Sequence, residues 1–201
     1  DDAADVVPYL HRLGVTDCYS SPYLAANPGS THGYDICDHS RLNPELGGEA
    51  GYERWTSALS AAGMGHILDF VPNHMGINPR CNRWWRDVLE NGPSSPFARY
   101  FDIDWDPVKD ELHNRVLLPI LGDQYGQALE RGELQLALVE GALELRYFDH
   151  GLPINPRQTP RVFRDGLPEL ARSMGEGDPD LLEFLSIMTE LQNLPAYTER
   201  E

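Results

Sequence analysis

The first 71 residues follow one order of patterns that few architectures accept: helix, strand, long loop, helix, strand. Asp2 to Leu13 sets Ala3, Val6, Val7, Leu10 and Leu13 on one helical stripe, with Gly14 as the stop. Val15-Thr16-Asp17-Cys18-Tyr19-Ser20-Ser21-Pro22 is a short β-prone run closed by proline. Glu49 to Ala62 is helical again, with Tyr52, Trp55 and Leu59 on one face and Gly63 behind it. His66 to Val71 then reads as a buried strand. Strands that are continuous apolar runs and alternate with helices predict an α/β fold with a parallel sheet. The pattern alone fits a closed barrel or an open doubly wound sheet. No glycine-rich turn follows the first strand to suggest a nucleotide site.

After His74 the rhythm changes, and a boundary near residue 75 is expected. Trp84 to Leu89 predicts a short helix ended by Asn91-Gly92-Pro93, and Phe101 to Pro107 and Val116 to Leu121 predict short strands. Leu134 to Val139 and Ala142 to Phe148 alternate about Glu140-Gly141, a hairpin signal. Leu152 to Pro168 reads as proline-rich loop. A last helix starts at an Asp178 cap and Pro179, carries Leu181, Phe184, Leu185, Met188 and Leu191, and ends before Pro195. This second part, 75–201, is expected to be mixed α+β.

Charge and cysteines limit the partners. Sixteen basic residues stand against 32 acidic ones, a net charge of -16, so nucleic acid and anionic membrane surfaces are poor partners. A neutral sugar meets no such repulsion. Cys18, Cys37 and Cys81 form no CxxC pair and read as reduced thiols in a cytoplasmic protein. No apolar run reaches the roughly 20 residues a membrane span needs. The chain starts without Met at Asp1-Asp2-Ala3-Ala4, in a helical pattern, as expected of an internal piece of a longer polypeptide.

The chemistry concentrates at the end of the second strand. Asp69, Asn73 and His74 stand where parallel barrels carry their reacting groups, and Pro72 fixes the chain as it leaves the sheet. A strand-end cap with a surface histidine explains the same residues equally well. In the long loop, His32-Gly33-Tyr34-Asp35 sets an aromatic between polar neighbours, which suits a saccharide because rings stack on sugar C–H faces. A turn packed by a core tyrosine is the alternative. Asn43-Pro44-Glu45-Leu46-Gly47-Gly48 reads as a structural lead into the next helix, and Trp84 and Trp85 as core before stacking platform. No HExxH-like spacing appears, so no metal and no cofactor are expected.

Together, the run from Gly14 to Pro22, Ser30-Thr31-His32-Gly33-Tyr34-Asp35 and Asp69-Phe70-Val71-Pro72-Asn73-His74 resemble successive signatures of the α-amylase family. Asn43 to Gly48, Asp87 to Ser95, Phe101 to Trp105, Val116 to Gly122 and Leu145 to His150 resemble its trehalose-forming branch. The resemblance implies part of a (β/α)8 TIM barrel, from helix 1 to strand 3, over residues 1–74, with 75–201 as an inserted α+β domain B. It implies substrate-binding roles for His32, Tyr34, Asn73 and His74, with Asp35 and Asp69 bracing them from behind. The implied reaction is intramolecular transglycosylation, converting the reducing-end α-1,4 link of a maltooligosaccharide into an α,α-1,1 link. The family's nucleophilic and acidic carboxylates lie on later strands, so no catalytic residue is expected in this chain, which is expected to be inactive alone. The alternatives are a glucan hydrolase or transferase of similar build, and a non-catalytic glucan-binding fragment.

Overall fold

The computed structural model describes residues 2–196; Asp1 and residues 197–201, including the chain ends considered above, lie outside the described residues. The chain divides into two compact units, the first running to Arg83 and the second starting at Trp84.

The first unit contains α1 (Asp2–Arg12), β1 (Asp17–Ser20), β2 (Leu24–Ala26), β3 (Ile36–Leu42), α2 (Gly48–Ala61) and β4 (Gly65–Leu68). β1 and β4 pair in parallel, Asp17 opposite Gly65 and Ser20 opposite Leu68, as the alternation of helix and strand predicts. The core is Val7 of α1, Leu59 of α2 and Met64, with Leu10, Val15, Cys18 and Trp55 packed against it. Removing most of a side chain such as Leu59 costs about 2–5 kcal/mol. The helical stripe is narrower than expected. Val6 is 48% and Leu13 65% exposed, because successive residues turn about 100° and only the Ala4–Val7 side meets α2. The strands are also shorter and more open than their apolar run suggests, with Tyr19 67% and Ile67 52% exposed.

The long loop is partly regular. β2 and β3 pair antiparallel with two register shifts, and three-residue β2 is too short to show alternation in sequence. Asn43 is buried and its side chain accepts from Glu45 N, starting a 3-10 turn over Pro44–Leu46. Gly47, at φ 106, turns the chain into α2, so this segment is the structural lead it was read to be.

Past β4 the chain has no regular element until α3, yet it is firmly tied down. Asp69 N donates to Ser20 O (2.9 Å) and Gly76 N to Ile36 O (2.8 Å). Asn82 Nδ2 donates to Gly76 O at 2.8 Å. Cys37 and Cys81 are joined in a disulfide across 44 residues, and Cys18 is the free cysteine. This corrects the reading of all three as reduced thiols. A separation of 44 residues carries no local signature, and the odd count pointed away from pairing. Loop-closure entropy makes such a link worth about 4 kcal/mol. These ties explain why the first unit extends beyond residue 74 to Arg83.

The second unit holds α3 (Arg83–Asn91), α4 (Tyr125–Glu130), β5 (Leu134–Val139), β6 (Ala142–Tyr147), β7 (His150–Pro153), α5 (Thr159–Phe163), α6 (Leu167–Met174) and α7 (Pro179–Asn193). The β5–β6 hairpin pairs without a slip from Leu134↔Tyr147 to Val139↔Ala142. Its turn residues Glu140 (φ 50) and Gly141 (φ 82) both take the left-handed conformation a two-residue type I′ turn requires. Asp178 caps α7 as expected, accepting from Asp180 N and Leu181 N. Two expectations fail. The segments Phe101–Pro107 and Val116–Leu121 form no strand, because Ile103 N folds back to Phe101 O and Ile120 N to Leu118 O. The proline-rich stretch from Leu152 holds β7 and α5, with α6 starting at Leu167, since prolines at the first turns start helices there and do not block them.

Glu144 of β6 is buried. It meets Arg86 of α3 at 3.4 Å and Arg146 at 3.1 Å, which compensates for taking a carboxylate out of water. Trp85 is core at 6% exposure, whereas Trp84 stacks on Phe97 and Tyr100. Among the described residues no helix is long and apolar enough to cross a membrane.

Candidate functional site

The parallel pairing of β1 and β4 decides what meets at their C-terminal ends. Tyr19 lies opposite Ile67, so its side chain shares a sheet face with Asp69, two residues further on. The β2–β3 loop delivers Tyr34 to the same place. Tyr34 Oη donates to Asp69 Oδ2 at 2.5 Å, and the Tyr19 phenol also hydrogen-bonds this carboxylate. Hydrogen bonds from Tyr19 and then Tyr34 hold the Asp69 carboxyl below the usual carboxylate range, with partial desolvation opposing them. The phenols answer in kind. The bond to Asp69 pushes Tyr19 up to about 12 and raises Tyr34. Asp69 is therefore an ionised carboxylate at neutral pH, held by two neutral donors.

Tyr34 is fixed from its backbone as well. Its N–H donates to His32 Nδ1 at 3.0 Å, and the His32 ring stacks on the phenol ring with centroids 6.0 Å apart and planes 29° apart. Its carbonyl accepts from His74 Nε2 at 3.0 Å, since a carbonyl cannot donate. His74 Nδ1 faces Asn73 Oδ1 at 3.0 Å. Gly33 allows the chain to arrive here. A Cβ at that position would lie 2.2 Å from Pro22 O, and its φ is +78°.

Asp35 points back into its own loop. It accepts from Ser30 Oγ and from Asn27 Nδ2 (2.9 Å), with His32 Nδ1 3.8 Å away. Partial burial opposes its ionisation. The bonds from Ser30, Asn27 and its own backbone, together with His32, outweigh that burial and hold its pKa low. Gly76 closes behind it, since a Cβ there would meet Asp35 O at 2.7 Å. The bracing of the loop thus runs from Asp35 through Asn27 to the 73–82 segment.

All six residues singled out from sequence therefore fall in one connected network: His32, Tyr34, Asp35, Asp69, Asn73 and His74. His32, Asn73 and His74 are exposed, and Tyr34, Asp35 and Asp69 are partly buried. The residue that sequence reasoning left without a role is Tyr19. Only strand register places it beside Asp69, and one sequence does not state register. A cavity of about 600 Å³ opens elsewhere on this unit, lined by Ser20, Ser21, Tyr23, Glu45, Tyr52 and Trp55. None of the six lines it, so the network and not this hollow marks the candidate site. In the second unit, His113 Nε2 donates to Pro107 O at 2.8 Å, a structural bond.

Comparison with known proteins gives this arrangement a context. Residues 3–127 match the α-amylase catalytic domain. A Mycobacterium tuberculosis protein provisionally named maltooligosyl trehalose synthase is 45% identical over 157 residues, covering 77% of this chain and 19% of its own. The solved maltooligosyltrehalose synthase of Arthrobacter ramosus is 46% identical with a TM-score of 0.66, over 77% of this chain and 19% of that one. A Sulfolobus tokodaii structure described as a hypothetical maltooligosyl trehalose synthase is 34% identical with a TM-score of 0.67, covering 85% of this chain and 22% of its own. The chain spans about a fifth of the length of the relatives it matches.

Proposed function

The chain belongs to the α-amylase family, and from that premise we propose that it forms one sugar-binding wall of a maltooligosyltrehalose-forming glucosylmutase. In this reading residues 1–74 belong to the catalytic barrel, and 75–201 belong to a domain inserted after its third strand. The observation that carries the reading is the fixed Tyr34. Its hydroxyl is tied to Asp69, its N–H to His32 and its carbonyl to His74, so the ring cannot rotate away. A ring held in one orientation stacks on a sugar at little entropic cost.

The roles divide by which atoms are engaged. Both His74 nitrogens face protein groups, so His74 acts by holding Tyr34 and Asn73 in place. His32 is exposed and uses Nδ1 within the loop, which leaves Nε2 to meet a sugar hydroxyl. Asn73 is exposed and turns Oδ1 to His74, which leaves its amide nitrogen for a further hydroxyl. Asp69 places a negative charge behind the ring, and Asp35 keeps the loop in register.

The overall chemistry is retaining glycosyl transfer. A carboxylate displaces the reducing-end glucose, an acid protonates the leaving oxygen, and the anomeric hydroxyl of that same glucose then attacks the glycosyl-enzyme. The six residues here bind and orient, and none of them is assigned to bond breaking. Exclusion of water decides between isomerisation and hydrolysis.

The test uses the longest polypeptide that carries this chain, incubated with maltopentaose. Isomerisation consumes reducing ends without shortening the glucan and yields a product with an α,α-1,1 link by NMR. A rise in reducing ends would replace this reading with a hydrolase. The 201-residue chain titrated with maltopentaose, followed by tryptophan fluorescence, examines the wall by itself.

A further inference from the structure

The cavity of the first unit that the Tyr34 network leaves unused is built of parts that suit a sugar. It measures about 600 Å³, within the roughly 300–1,000 Å³ of small-molecule sites. Tyr23, Tyr52 and Trp55 are its aromatic lining, and they fix one another. The Tyr23 ring lies 5.6 Å from Tyr52 and 6.1 Å from Trp55, and it stacks on His66 at 5.8 Å with 28° between the planes. Trp55 meets the same imidazole edge-on at 4.4 Å. A ring cluster held in this way loses little freedom when a ligand stacks on it.

The polar lining narrows the ligand. Ser20 and Ser21 bring hydroxyls, with Ser20 Oγ 3.0 Å from His66 Nε2, and the phenols of Tyr23 and Tyr52 hydrogen-bond each other. A hydroxyl offers one donor and two acceptor positions, so these groups keep capacity for a ligand. The charged lining residues are Asp2 and Glu45, and no basic side chain among the described residues lines the cavity. An anion is therefore repelled, and a purely apolar ligand would leave the hydroxyls without partners. A cation gains little. Glu45 already accepts from Gly29 N through both oxygens, and Asp2 is exposed, where water and salt screen it. A neutral saccharide brings C–H faces for the rings and hydroxyls for the rim.

One residue connects this cavity to the network. Ser21 lines the cavity, and its hydroxyl also hydrogen-bonds the Tyr34 phenol. We propose that the cavity is a second saccharide-binding site, which holds two glucose units of an α-glucan whose next unit rests on Tyr34. The choice of a neutral saccharide rests on the lining of the cavity itself. The choice of an α-glucan shared with Tyr34 rests on the sugar-wall reading of that residue.

The test follows Trp55, because Trp84, Trp85 and Trp105 all belong to the second unit. The 201-residue chain is labelled with 5-fluorotryptophan, and the Trp55 fluorine resonance is assigned by its absence from Trp55→Phe. Maltose is expected to move this resonance saturably, and maltopentaose to do so at a several-fold lower concentration. Tyr52→Leu removes one ring, and Ala3→Phe fills the cavity from an exposed lining position. Both should raise the maltose midpoint several-fold, while far-UV circular dichroism reports an intact fold. Tyr34→Ala should keep the maltose response and abolish the advantage of maltopentaose. A Trp55 resonance unmoved by either sugar would overturn the proposal, even where calorimetry shows that Tyr34→Ala weakens maltopentaose binding and the wall stands alone. Unchanged midpoints in both cavity variants would overturn it as well. So would a response to choline in place of maltose, which would make the cavity a cation site. Saturable movement of Trp55 with Tyr34→Ala without effect would uphold the saccharide site and remove the sugar wall instead.

Discussion

Each unit of this molecule grips a carboxylate from two sides, and the two grips differ in kind. Asp69 stands at an open strand end and is held by the phenols of Tyr34 and Tyr19. Glu144 is 3% exposed inside the second unit and is held by the guanidinium groups of Arg86 and Arg146. A buried carboxylate needs opposite charge to stay ionised, and that charge commits it to one partner set. A rim carboxylate needs only neutral donors, and those donors keep a face for something else. The first grip positions a ring toward solvent, and the second locks a helix to a sheet.

The comparison breaks most visibly at Glu144. Glu144→Ala is expected to destabilise the second unit by about 3–5 kcal/mol, because it leaves two guanidinium groups around an uncompensated hole. Urea denaturation measures this, and a loss below 1 kcal/mol would mean that the pair is not a fold-holding element. Gly151→Ala should fail in the same way, since its Cβ would lie 2.6 Å from the Glu144 carboxylate. Tyr34→Phe should do the reverse. The stacking ring remains but its tie to Asp69 is gone, so glucan affinity falls several-fold while the denaturation midpoint barely moves. An unchanged affinity would remove Tyr34 from the proposed wall.

The pH response sharpens the contrast further. Asp69 titrates below its unfolded value, so its contribution is full above the ordinary carboxylate range and is lost as pH falls through the lower folded value. Asp69→Asn should flatten that acid limb in a pH series of thermal midpoints and leave the neutral region alone. Glu90 in α3 moves the other way, its pKa raised chiefly by burial. Its contribution is full below the ordinary carboxylate range and declines as pH rises through the raised value. Glu90→Gln should therefore give a small gain in midpoint at neutral pH that disappears under acid conditions, the smallest of these effects.

Legibility in the sequence followed the range of the interaction. The Asp178 cap, the Glu140-Gly141 turn and the helix–strand alternation are local, and the chain states them residue by residue. The grouping of Tyr34 with Asp69 came through resemblance to a family, because nothing local says that residues so far apart will touch. Tyr19 and the Cys37–Cys81 pair were missed for one reason: both depend on which segments lie side by side. The two absent strands, Phe101–Pro107 and Val116–Leu121, failed differently. Their residues favour extension, but backbone bonds to near neighbours fold them into tight turns. Propensity named the preference, and tertiary context overrode it.

The register of β1 against β4 bears on the order in which the chain acquires its structure. In the second unit, Val139 meets Ala142 across a two-residue turn, a contact reached within microseconds. In the first, Asp17 must find Gly65 across the β2–β3 loop and α2. Pairing over so long a stretch carries a large loop-closure entropy and is slow to nucleate. The contact of Tyr34 with Asp69 at the end of β4 is therefore expected to form after the hairpin. A chain stopped partway is expected to show a formed hairpin before the proposed wall is assembled.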